Sequence, residues 1–72
     1  MPDLVQYHIA RLKDKNPRVR AAAAHELGLL GDAAALSALE ELFQTDRDPE
    51  VKRAAQEAGR AIFKRIRLQQ GK

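Results

Sequence analysis

The feature that most constrains this chain is an internal echo. The segment Asn16-Pro17-Arg18-Val19-Arg20-Ala21-Ala22-Ala23 returns 32 positions later as Asp48-Pro49-Glu50-Val51-Lys52-Arg53-Ala54-Ala55. Proline, valine and the small residues fall in register. A period of this size marks a stacked-repeat architecture, in which each unit buries its apolar face against its neighbours.

Four helical segments fit around the echo, and nothing favours strands, because β-branched and aromatic runs are missing. The first is expected from about Pro2 to Lys13, with Pro2 in its first turn and Leu4, Val5, Ile9 and Leu12 on one face. Asn16 and Pro17 form an N-cap and first-turn pair for the second, which buries Val19, Ala22, Ala23, Leu27 and Leu30 and stops at Gly31. The third begins at Asp32 and buries Ala35, Leu36, Leu39, Leu42 and Phe43, with Thr45 to Arg47 as its exit loop. The fourth is capped by Asp48 and buries Val51, Ala54, Ala55, Ala58, Ile62 and Ile66, with Leu68 to Lys72 fraying. Short connections make consecutive helices antiparallel. The alanine pairs let helix backbones approach closely.

At 72 residues the chain holds one small domain. It has no cysteine, which excludes disulfides and thiolate-bound zinc and fits a reducing compartment. No uncharged apolar run approaches the roughly 20 residues of a membrane span, and the opening Met1-Pro2-Asp3 has no signal-peptide pattern. A soluble cytoplasmic protein is the expectation. The net charge of +3 is uneven: residues 1–49 carry six Lys/Arg against eight Asp/Glu, and residues 50–72 carry seven against two. Any electrostatic partner is therefore sought at the C-terminal helix.

Asn16 to Asp32, with the pattern D/N-P-x-V-R-x-x-A-A…L-G-x-L-G-D, resembles the HEAT repeat in the form named after phycobilisome lyases, and Asp48 to Ala58 matches its first half. The resemblance implies an all-α, HEAT-like solenoid of four antiparallel helices: residues 1–15 a half repeat, 16–47 a full repeat, 48–68 a half repeat or cap, and 69–72 a tail. The helix order is then B-A-B-A. It further implies that the B helices present the concave side, near Gln6, Tyr7, Ala10, Arg11, Ser37, Glu40, Glu41 and Gln44. The chain departs from the pattern at Glu26, where a small residue is expected, at Leu29, where a charge is usual, and at Gly59-Arg60, where Leu-Gly would end the helix.

No residue pattern supports catalysis. There is no phosphate loop and no metal spacing, Ser37 is the only serine, and His8 and His25 lie on separate helices. The expectation is no enzyme, no metal and no cofactor. Helical phase turns His8 and Glu26 toward the interface of the first two helices, where a buried carboxylate needs a donor, so the two are expected to bond to each other or to a backbone group, a structural polar pair that fixes helix register. His25 reads as surface. Arg53, Arg60, Lys64 and Arg67 fall within about 60° of one another on the fourth helix, an ordinary solvated face or a docking stripe. Leu29, Phe63, Ile66 and Leu68 exceed the fitted core; Phe63 and Ile66 either fold back on Leu42 and Phe43 or form an open patch. Tyr7 and Arg11, one turn apart, suit a cation–π pair.

These features point to a protein-interaction module, a small adaptor or scaffold that binds a protein partner, acidic by preference. Candidate contacts are Tyr7, Arg11, Leu29, Glu40, Glu41, Arg53, Arg60, Phe63, Lys64 and Arg67. A homo-oligomer fits the open apolar edge. Two other classes stand behind it. Nucleic-acid binding through the basic helix is disfavoured because no aromatic residue accompanies the stripe. A tetrapyrrole-handling role would follow only from the lyase resemblance.

Overall fold

The computed structural model describes residues 3–70, so the expected role of Pro2 lies outside the described residues. Four α-helices follow in order: α1 (Leu4–Arg11), α2 (Pro17–Leu30), α3 (Leu36–Thr45) and α4 (Pro49–Gln70), with a 3₁₀ turn, Ala33–Ala35, leading into α3. The fold is an all-α helical stack, with no strand among the described residues.

Local chemistry sets each helix start. The side chains of Asp3, Asn16, Asp32 and Asp48 accept from the backbone N–H of Val5, Arg18, Ala34 and Glu50, each two residues on, at 2.8–2.9 Å. Such caps satisfy amides that have no partner within the helix. Gly31 ends α2 at φ +70°, a left-handed conformation open to glycine at little cost. Its N–H closes onto the Leu27 carbonyl at 3.1 Å.

The helices stack with α2 beside α4, α1 packed on α2 and α3 packed on α4. Sequential short loops favour antiparallel neighbours, yet the most extensive contact joins the non-consecutive α2 and α4, followed by α3 with α4 and α1 with α2. Gly28 explains the closeness of α2 and α4: a Cβ at that position would lie 2.9 Å from the Ala58 Cα. The core is built from Val5, Leu12, Ala23, Ala24, Leu27, Ala35, Leu39, Leu42, Val51, Ala55, Ala58 and Ile62. Ile9, Leu36, Phe43, Ala54 and Ile66 are partly buried against it.

Several expectations about facing are corrected. On α2 the buried arc is Ala23, Ala24 and Leu27, while Ala22 is exposed. Contact with α4 rotates the buried arc toward the Ala24 side and leaves Ala22 on an open flank. Leu30 is in phase with the core but is exposed in the last turn of α2, and Leu4 is exposed in the first turn of α1, where no neighbouring helix reaches. Leu68 to Gln70, expected to lie in the fraying tail, are placed as a continuation of α4, with Gly71 and Lys72 outside the described residues.

Candidate interaction surfaces

The sequence-derived polar pair does not form. His8 is buried, but Glu26 is exposed and makes no contact with it. The reason is the register of the stack. Subtracting the 32-residue period from Ala58, which faces α2, gives Glu26; it therefore faces the side of α2 on which no helix packs. The carboxylate stays in water, where it needs no buried donor. His8 Nδ1 finds no hydrogen-bond partner among the described residues, and its ring meets Tyr7 edge-on at 5.0 Å.

A different ion pair holds the inter-helix loops together. Arg20 Nε donates to Asp46 Oδ2 at 2.6 Å, and Nη2 donates to Oδ1 at 3.2 Å. Arg20 Nη1 donates to the carbonyls of Asp14 and Lys15 at 2.8 and 3.1 Å, clasping the α1–α2 loop as well. The two-pronged geometry gives orientation beyond a point-charge attraction. The hydrogen bond to Asp46 is the main influence raising the Arg20 pKa above its ordinary value, with burial opposing it. For Asp46, burial is the largest influence and pushes the pKa up. The Arg20 hydrogen bond, the Asp48 amide and the charges of Arg20 and Lys52 together outweigh it and hold the carboxyl below its ordinary value. Sequence reasoning passed over this pair although a signal was present: Asp14 and Asp46 lie one period apart, as do Arg20 and Lys52. Both aspartates accept from the amide two residues on, Asn16 at 2.9 Å and Asp48 at 3.0 Å.

The candidate contact residues divide among separate surfaces. Glu40, Arg60 and Phe63 come together at an open groove of about 340 Å³ between α3 and α4, floored by Leu36, Leu39, Phe43, Ala55 and Gly59. Phe63 reaches this groove beside Phe43 yet remains 60% exposed, so it does not fold back into the core; Ile66 does pack against the core. The Lys52 ammonium stands over the Phe43 ring, 5.1 Å from its centre. Glu41 lies on the opposite flank of α3, sharing a smaller groove with Ile9, Leu12 and Lys13 of the α1 segment. Tyr7 and Arg11 form the expected cation–π contact at 5.5 Å on α1, away from both Glu40 and Phe63. Leu29 lies in the cleft between α2 and α4 with His25, Glu57 and Ala61. Arg53, Lys64 and Arg67 are exposed on α4, Arg53 standing 4.0 Å from Glu50.

The comparisons with known proteins bear on this arrangement directly. Residues 1–59 match HEAT repeats. The chain belongs to the HEAT-repeat family. The match stops where α4 leaves the repeat pattern, at Gly59-Arg60, while the helix itself runs on to Gln70, more than two further turns. No curated protein and no solved structure matches the chain. Among the described residues, no group of three or more His, Asp or Glu side chains is placed to hold a metal, and no helix is long and apolar enough to cross a membrane.

Proposed function

We propose that this HEAT-repeat chain is a non-catalytic protein-binding module and that the α3–α4 groove is its docking surface. The observation that carries this reading is an apolar floor, Leu36, Phe43, Gly59 and Phe63, left uncovered between two helices and rimmed by opposite charges at Glu40 and Arg60. A groove between two helices accepts a third helix by its apolar face, and the charged rim sets orientation. Within the family we assign the chain to the form found in phycobilisome lyases, on the strength of Asn16 to Asp32. That likeness concerns repeat type and brings no tetrapyrrole chemistry with it.

The test is affinity capture from native lysate with the wild-type chain, Phe63→Glu, and Lys64→Glu/Arg67→Glu. Phe63 is mostly exposed, so its variant keeps the wild-type melting temperature. The expected result is a partner lost with Phe63→Glu and kept by the double variant. Binding that survives Phe63→Glu and disappears in Lys64→Glu/Arg67→Glu would move the site to the basic face and contradict the reading.

A further inference from the structure

The two open edges of the stack carry complementary charges, and we propose that the occupant of the α3–α4 groove is the α1–α2 edge of a second copy of this chain, added head to tail. The inference rests on the reading of that groove as a docking surface. Its starting point is the way α2 meets α4 within one molecule. Arg18 and Ala21 share a cleft with Asp48 and Glu50, and His25 and Gly28 share another with Ala54 and Glu57. Arg18 with Glu50 and His25 with Glu57 are each one 32-residue period apart, so α2 and α4 lie parallel and in register.

Advancing this contact by one period shows what each outer edge would meet. The positions of α2 that face α4 become Arg53 and Arg60 on the outer edge of α4, with Glu50 and Glu57 on the exposed ridge that also borders the α2–α4 clefts. The positions of α4 that face α2 become Ala22 and Glu26 on the outer edge of α2, with Arg18, His25 and Leu29 on the exposed ridge that also borders the α2–α4 clefts. All nine side chains are exposed. Laying the second edge on the first sets Glu50 opposite Arg18, Glu57 opposite His25, and Arg60 opposite Glu26 of the second copy. The last pair takes the place of the Gly28–Ala58 contact. Arg53 alone meets a like charge, Arg18, and it already has Glu50 beside it. The helix order completes the fit. The chain opens with α1 packed on α2 and closes with α3 packed on α4, so α1 of the added copy enters over the open groove as α2 settles against α4.

The same geometry limits the strength of the junction. Gly28 permits backbone contact between α2 and α4, whereas Arg60 with Glu26 spans a wider gap. The copies therefore sit farther apart than α2 and α4 do, and association is weak and salt-sensitive. Because the two edges differ, the contact is heterologous and leaves an edge free at each end, so short open oligomers form in place of a closed dimer.

Sedimentation equilibrium on the 72-residue chain between about 10 μM and about 1 mM, at low salt, tests the proposal. The wild type is expected to gain mass with concentration. Glu26→Arg and Arg60→Glu, each at an exposed site, are each expected to lose at least about tenfold in association constant with unchanged helical circular dichroism. An equimolar mixture of the two single variants should regain association, because the substituted position of one faces the substituted position of the other. A wild type that stays monomeric throughout, single variants that associate as the wild type does, or a mixture that stays monomeric would each overturn it. A monomeric wild type whose cellular partner is still lost in Phe63→Glu would overturn self-association and leave the docking groove standing.

Discussion

Asp46 shows how one side chain joins three segments. It accepts from Arg20 and from the Asp48 amide, while Arg20 reaches on to the Asp14 and Lys15 carbonyls. Its folded pKa lies below its unfolded value, near 3.8. A depressed carboxyl contributes stability that is complete above the unfolded pKa and is lost as pH falls through the folded one. Asp46→Asn is therefore expected to lower the melting temperature at pH 7, and the difference from the wild type should shrink once the pH drops below about 4. A difference that persists undiminished at pH 2.5, read by calorimetry, would count against the charge-based account. Residue-scale chemistry of this kind was partly legible in the sequence. The caps at Asn16, Asp32 and Asp48 were visible because a cap involves only the next few residues. Arg20 with Asp46 was missed, because its 26-residue separation carries no local signature and only the 32-residue period relating Asp14 to Asp46 pointed to it. The expectation for His8 and Glu26 failed because helical phase gives a direction around one helix but not the identity of the neighbour on that side.

At the scale of elements, two glycines carry the spacing argument. Gly28 and Gly59 both sit inside helices, where glycine is less favourable than alanine by roughly 0.5–1 kcal/mol. A Cβ at Gly28 would press on the Ala58 backbone at 2.9 Å, and a Cβ at Gly59 would meet nothing within 4 Å. Gly28→Ala is expected to destabilise by about 1–3 kcal/mol as α4 is pushed away, and Gly59→Ala to stabilise by about 0.5–1 kcal/mol. Chemical denaturation of the two variants, with m-values compared, checks both signs. Equal effects would mean that helix propensity alone governs these positions. The length and order of the helices were readable from periodicity and caps. Which flank each helix buries was read less well, because α2 makes its most extensive contact with α4, two elements away, and that pairing rotates the buried arc from Ala22 toward Ala24.

At the scale of the molecule, the chain is a slab of 41 × 31 × 15 Å in Cα extent, too short to develop the curved inner surface of longer solenoids. The features proposed above for recognition lie at the edges of the stack. Glu26, Leu29 and Arg60 depart from the repeat pattern and are exposed, Glu26 and Arg60 on edges where the next unit of a longer array would pack and Leu29 at the mouth of the α2–α4 cleft. The echo made the stack legible. It could not show that Glu40, Arg60 and Phe63 share one groove while Tyr7, Arg11 and Leu29 lie elsewhere, since that depends on how α3 crosses α4. The most direct measurement is a concentration series of amide shifts by NMR. The account predicts that the shifts moving with concentration fall on the α3–α4 groove, at Leu36, Phe43, Gly59 and Phe63, together with Ala22 and Glu26 on the far edge of α2, and spare the Asp46–Asp48 loop. Shifts that stay fixed up to about 1 mM, or that move only in that loop, would contradict it.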